Sequence, residues 1–187
     1  PAPMLPLDIF ASRQFTAANL VTFVVYGALG GSLFLLPIQL QRVVGYSPLA
    51  SGVALVPITV VLLLLSARAG RLASRIGPRL PMTIGPLLVA AGFLLCTRLG
   101  PGASYLVDIL PASLVYGLGL TLTVAPLTST VLAAAPAEHA GIASAVNNDV
   151  ARTAGLLAVA VLPVAAGISG AGALEPDRFA AGFRTAM

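Results

Sequence analysis

Charge is scarce in this chain of 187 residues, of which only 9% are Asp, Glu, Lys or Arg. One cysteine, one histidine and six dispersed acids assemble no nucleophile–base pair and no metal-ligand cluster, so the chain does not read as an enzyme, and no cofactor or metal is expected. The lone Cys96 excludes an internal disulfide; lying inside an apolar run, it reads as a small hydrophobe. No basic stretch followed by a short apolar core and a small-residue cleavage site opens the chain, so no cleavable signal peptide is read and insertion falls to the apolar runs themselves. Tryptophan is absent altogether.

What the chain does have is apolar length. It is 58% hydrophobic, with a mean hydropathy of +0.99, outside the range of soluble domains. A hydrocarbon layer about 30 Å thick needs about 20 apolar residues in a helix, and five runs approach or exceed that. Lipid supplies no hydrogen-bond partners, so each run must satisfy its backbone internally as a helix, and none shows the alternation of a barrel strand. The expected fold is all-α, a polytopic transmembrane helical bundle over residues 19–168, with helices at 19–41, 49–66, 81–98, 105–134 and 140–168. Residues 1–18, rich in proline at Pro1, Pro3 and Pro6, read as a linker and cytoplasmic lead-in. Residues 169–187 read as an external loop leading into a truncated final helix, which makes the chain a fragment.

The net charge of +4 and pI near 10.0 do not point to nucleic acid, because the arginines are dispersed between apolar spans without stacking aromatics beside them. They read as topology. Residues 66–80 carry Arg68, Arg71, Arg75 and Arg79 as one short loop, and the positive-inside rule puts such a loop in the cytoplasm. The first, third and fifth helices then run outward, and the second and fourth return.

That basic segment reads Gly70-Arg71-Leu72-Ala73-Ser74-Arg75-Ile76-Gly77-Pro78-Arg79. It resembles the cytoplasmic loop signature of the major facilitator superfamily, which joins the second and third helices of each six-helix half. Gly70, Leu72, Ala73, Arg75 and Gly77 fit the pattern, Ser74 stands in place of an aspartate, and Pro78 in place of an arginine. Ser74 can cap a helix but holds no charge. The run from Pro136 to Gly155, the Phe15–Leu20 stretch, and Gly117-Leu118-Gly119-Leu120 with Ala125-Pro126 are similar to the fourteen-helix drug:proton antiporter branch of that superfamily. The resemblance implies about five helices of a C-terminal six-helix half in the plasma membrane, with a missing N-terminal half as partner. It also implies proton-coupled efflux of hydrophobic or cationic drugs by alternating access, with protons and a small-molecule substrate as further partners. A metabolite transporter of the same superfamily and a non-transporting assembly subunit remain alternatives.

Polar groups inside membrane helices are costly, about 2.5–3.5 kcal/mol for a central charge on insertion scales, so each is a candidate for function. Arg152 shares a helix face with Asn148 and Asp149, and with Asn147 these form a candidate gate or cavity-lining cluster near the cytoplasmic end; the alternative is an arginine snorkelling to the interface. No helix is read as carrying a central basic residue aimed at an anionic substrate. Asp108, about one turn beyond Tyr105, is a candidate for proton coupling or an interfacial acid. Asn19, Thr22 and Tyr26 recur at helical spacing, Gln39 follows near the outer end, and Thr121 and Thr123 lie before Pro126; all six are candidate cavity residues, although the same pattern serves helix packing. In the basic loop the gating candidates are Gly70, Leu72, Ser74, Arg75, Gly77 and Arg79. His139, beside Glu138, reads as a solvated loop histidine. A mostly apolar cavity with scattered amides and hydroxyls, and no tryptophan, suits drugs better than sugars.

Overall fold

A computed structural model describes residues 9, 11–170 and 175–187; the proline-rich linker at residues 1–8 and the loop at 171–174 lie outside the described residues. Five helices are long and apolar enough to cross a membrane. They are α1 (Arg13–Arg42), α2 (Pro48–Ile76), α3 (Arg79–Cys96), α4 (Leu110–Ala133, preceded by a π-helical turn at Tyr105–Ile109) and α5 (Ala140–Ala165). A sixth helix, α6 (Pro176–Ala186), is short and amphipathic.

The two boundaries that differ most from expectation, the start of α1 and the end of α2, have local causes. Helix α1 starts at Arg13 rather than near residue 19, because Ser12 adopts an extended conformation and its hydroxyl accepts the Phe15 N–H at 3.3 Å. The polar residues Arg13, Gln14 and Thr16 weaken the apolar signal there without breaking the helix. Helix α2 continues ten residues past the expected end at 66, so the basic segment is not a loop. Arginine, leucine and alanine are strong helix formers, and nothing between Ser66 and Ile76 is a proline. The helix stops where Gly77 takes φ +86° and Pro78 follows, leaving a two-residue break before α3. Arg68, Arg71 and Arg75 therefore ride on the last turns of α2, where cations oppose the negative end of the helix dipole.

Helix α4 is the centre of the bundle. Half of its apolar segment is buried, against 17% for α2 and 11% for α5. It packs on α3 through reciprocal glycine contacts. A β-carbon at Gly119 would stand 2.5 Å from the Val89 nitrogen, and one at Gly92 would stand 2.9 Å from the Tyr116 Cα. Residue numbers rise along α3 as they fall along α4, so the two are antiparallel. On the other side of α1, a β-carbon at Gly30 would stand 2.7 Å from the Gly155 Cα, Gly31 meets Ala158 and Leu162, and Gly27 meets Ala154. Here the numbers rise together, so α1 and α5 are parallel, as two outward-running helices must be.

Hydroxyls and amides reinforce these contacts. The Thr22 hydroxyl lies 2.7 Å from Asn147 Oδ1 and 3.0 Å from the Ala18 carbonyl, tying α1 to α5. Ser32 and Tyr116 share a 2.5 Å hydrogen bond that ties α1 to α4, and the Tyr116 ring sits 5.1 Å from that of Phe93 on α3. Two apolar clusters flank this middle zone. One gathers Leu35, Leu40, Cys96, Ile109 and Tyr116 under Phe179 and Phe183 of α6; the other gathers Phe15, Ala18, Leu127, Val131 and Ala143 at the opposite end. Cys96 is buried there as the small hydrophobe expected.

Two outcomes test this packing. Gly119→Val should destabilise the protein by about 1–3 kcal/mol through overpacking against α3, whereas Gly141→Ala, at an exposed helical position with nothing within 4 Å, should be neutral or stabilising; thermal unfolding in detergent of the full-length protein separates the two. Thr22→Val and Asn147→Ala should couple in a double-mutant cycle by about 0.6–1.7 kcal/mol, the range of interhelical hydrogen bonds in membranes. Additive losses would show that the pair carries no bond.

Candidate functional site

The cavity-facing side of α1 is defined by Tyr26, Leu29, Gly30 and Leu33, at the i, i+3, i+4, i+7 spacing of one helical face. Across from it, α5 presents Asn148, Ala151, Arg152, Gly155, Leu156 and Val159, again a single face. Together they line an open cavity of about 690 Å³. Tyr26, Leu29 and Leu33 also border a second cavity of about 390 Å³ between α1, α2 and α4, whose remaining lining is apolar apart from Thr59. A third, of about 450 Å³, opens between α1 and α5 on the side of Phe93 and the last residues, Ala186 and Met187.

Arg152 stands midway along α5, twelve residues and about 18 Å from its start. Counted along the helix it is a central basic residue, where the sequence reading puts the cluster toward the cytoplasmic end. Helix α5 begins at Ala140, where the sequence placed it, and Ala137–His139 before it form a separate 3₁₀ turn. Arg152 is exposed on the cavity wall. The ion pairs among the described residues are His139–Glu138 and Arg178–Glu175, both at 3.8 Å, so Asp149 and Arg152, though one turn apart, do not pair within 4.0 Å. Asp149 is exposed and outside the cavity lining, and Asn147, also outside it, is buried facing α1. Only Asn148 and Arg152 of that cluster reach the cavity.

The remaining candidates separate in the same way. Tyr26 reaches the cavity, whereas Thr22 is held at the α1–α5 seam, and Asn19 is buried with Nδ2 donating to the Phe15 carbonyl at 3.0 Å. Gln39, fully buried, donates from Nε2 to the Leu99 carbonyl at 2.5 Å and pins α1 to the connection after α3. Thr121 and Thr123 are buried and donate to the carbonyls of Gly117 and Gly119, both at 2.7 Å, one turn back on α4. Farther along, Ser129 and Thr130 donate to the Pro126 carbonyl. These hydroxyls are consumed within their own helix. Asp108 accepts the Ser104 N–H at 2.8 Å at the start of the π-helical turn, where an anion is favoured.

In the basic segment, Arg68, Arg71, Leu72 and Arg75 line a shallow groove of about 210 Å³. The Ser74 hydroxyl donates to the Arg71 carbonyl at 2.8 Å, Gly70 faces open space, Gly77 makes the turn, and Arg79 opens α3. Sequence reasoning missed Leu29, Leu33, Ser32 and Tyr116. The first two were legible as the i+3 and i+7 partners of Tyr26; the last two carry no signal until α1 and α4 are brought together.

Comparison with known proteins agrees with this architecture. A family model described as Major Facilitator Superfamily matches residues 1–172. Among curated proteins, the tetracenomycin C resistance and export protein of Streptomyces glaucescens is 33% identical over 95% of this chain, and the puromycin resistance protein pur8 of Streptomyces alboniger is 36% identical over 86%. The quinolone resistance protein NorB of Staphylococcus aureus is 28% identical over 85%. The chain spans about a third of the length of these relatives, 33%, 32% and 34% respectively. Its five membrane-spanning helices and this match over nearly its whole length establish a multi-pass membrane protein that belongs to the major facilitator superfamily.

Proposed function

We propose that this chain forms one side of the substrate pathway of a drug exporter in the plasma membrane, working by alternating access and driven by proton antiport. The observation that carries the reading is the drug-sized, largely apolar cavity beside the middle of two membrane-length helices, walled by α1 and α5, in a chain whose relatives are named for resistance and export. Its polar groups, Tyr26, Asn148 and Arg152, are few and grouped, which suits hydrophobic compounds held by a small number of directional contacts. In this reading the chain is the C-terminal part of a fourteen-helix antiporter, and the rest of the polypeptide supplies the facing wall.

Arg152 supports the placement of that wall. A charge midway along a membrane helix belongs next to water or a protein partner rather than lipid, because hydrocarbon would cost about 2.5–3.5 kcal/mol on insertion scales. Opening onto the cavity provides that environment. The basic end of α2, with the Gly77–Pro78 break, lies on the cytoplasmic side in this reading, and its arginines take part in gating there.

The test is transport by the full-length protein in inside-out vesicles. An interior made acidic should drive accumulation of a hydrophobic dye, and collapsing the proton gradient with nigericin should stop it. Accumulation indifferent to the gradient would remove the antiport mechanism, and no accumulation above protein-free vesicles would remove the exporter reading.

A further inference from the structure

Building on the exporter reading, we infer that Arg152 makes the cavity selective for amphipathic aromatic anions, compounds bearing a carboxylate or phenolate on an apolar ring system, and unfavourable to cations. The cavity of about 690 Å³ has Arg152 as its one charged lining residue, with Tyr26 and Asn148 as its other polar side chains. Among the described residues no acid lines it or the adjoining 390 Å³ cavity. Among the described residues no carboxylate lies within 4.0 Å of the Arg152 guanidinium; Asp149, the acid nearest to it in the sequence, is exposed and outside the lining.

The chemistry follows from the guanidinium itself. It is planar, permanently charged and weakly hydrated, so it binds a carboxylate through two parallel N–H donors and stacks on an aromatic face. An anion bound there supplies the counter-charge that α5 does not. The Tyr26 hydroxyl and the Asn148 amide flank the same space from the two helices and add donors, while Leu29, Leu33, Leu156 and Val159 offer the apolar wall that a ring system needs. A cation in this cavity would meet a like charge, with no acid among its described lining residues to balance it. Tyr26 and Arg152 both lie near the middle of their helices, so the selection would occur at the depth where alternating access requires the substrate to pause.

Two dyes with the same tricyclic scaffold and opposite charge, fluorescein and rhodamine 123, provide the test on the full-length transporter in inside-out vesicles. The wild-type protein should export fluorescein with the higher kcat/KM. Arg152→Gln should lower that value about tenfold or more, the loss of one charge-assisted hydrogen bond, while leaving rhodamine 123 unchanged or faster. Arg152→Lys, which keeps the charge but not the two-pronged donor, should fall between. Membrane levels of each variant separate a folding loss from a transport loss, because a merely structural arginine would lower both dyes in proportion. Such a proportional loss, no change in either dye, or a wild-type preference for rhodamine 123 would overturn the selection while leaving export standing. Export of neither dye would overturn the exporter reading and this inference with it.

Discussion

Helices in a bilayer gain little from hiding apolar side chains from one another, since lipid tails are as apolar as leucine. What holds this bundle together is therefore close approach. Gly27, Gly30 and Gly31 of α1 lie against Ala154, Gly155, Ala158 and Leu162 of α5, and Gly85 and Gly92 of α3 against Thr123, Gly119 and Tyr116 of α4. At several of these points even a β-carbon would collide with backbone. The two seams bring main chains near enough for dispersion contacts to accumulate, and every other feature of the fold is positioned by them.

The α1–α5 seam also determines which residues face the cavity. Once Gly30 and Gly155 are pressed together, Tyr26, Leu29 and Leu33 fall beside the seam on α1, and Asn148, Arg152 and Leu156 beside it on α5. Asn147, one residue away from Asn148, is rotated into the seam and bonds Thr22. Adjacent asparagines thus have unlike tasks, one structural and one exposed to whatever occupies the cavity. The placement makes the central charge tolerable, because Arg152 opens toward the cavity, and the glycine opposite keeps the helices close without crowding it.

The sequence announced the number of spans plainly, because five apolar runs have few alternative explanations in a chain with so little charge. The ends of the helices were harder. Hydropathy fades at Arg13 and at Ser66, yet helix propensity and capping do not, so α1 began earlier and α2 ended later than apolar content suggested. Among the candidate cavity residues, helical periodicity found the polar face containing Tyr26 but could not tell which of its members would be consumed. Asn19, Thr22, Thr121 and Thr123 donate to backbone carbonyls one turn back, and Thr22 also reaches Asn147. Whether a threonine closes on its own helix depends on what lies across from it, and that is a property of packing, which a single sequence does not display.

Helix α1 is held differently along its length, and the difference bears on how it can work. Thr22 joins it to α5 near one end of the glycine segment, and Ser32 joins it to α4 near the other, ten residues or about 15 Å farther on. Farther out still, Gln39 bonds the Leu99 carbonyl and fixes the outer end to the connection after α3. Between Thr22 and Ser32, α1 meets α5 through Gly27, Gly30 and Gly31 set against Ala154, Gly155, Ala158 and Leu162, contacts that carry no directional bond. Helix α1 is thus tied by hydrogen bonds to α5 at Thr22 and to α4 at Ser32, with close packing alone between them. Tyr26 lies in that smooth stretch, opposite the wall that carries Arg152. The same arrangement that packs the bundle therefore leaves the Tyr26 side of α1 free of directional bonds to its neighbours and open to the cavity.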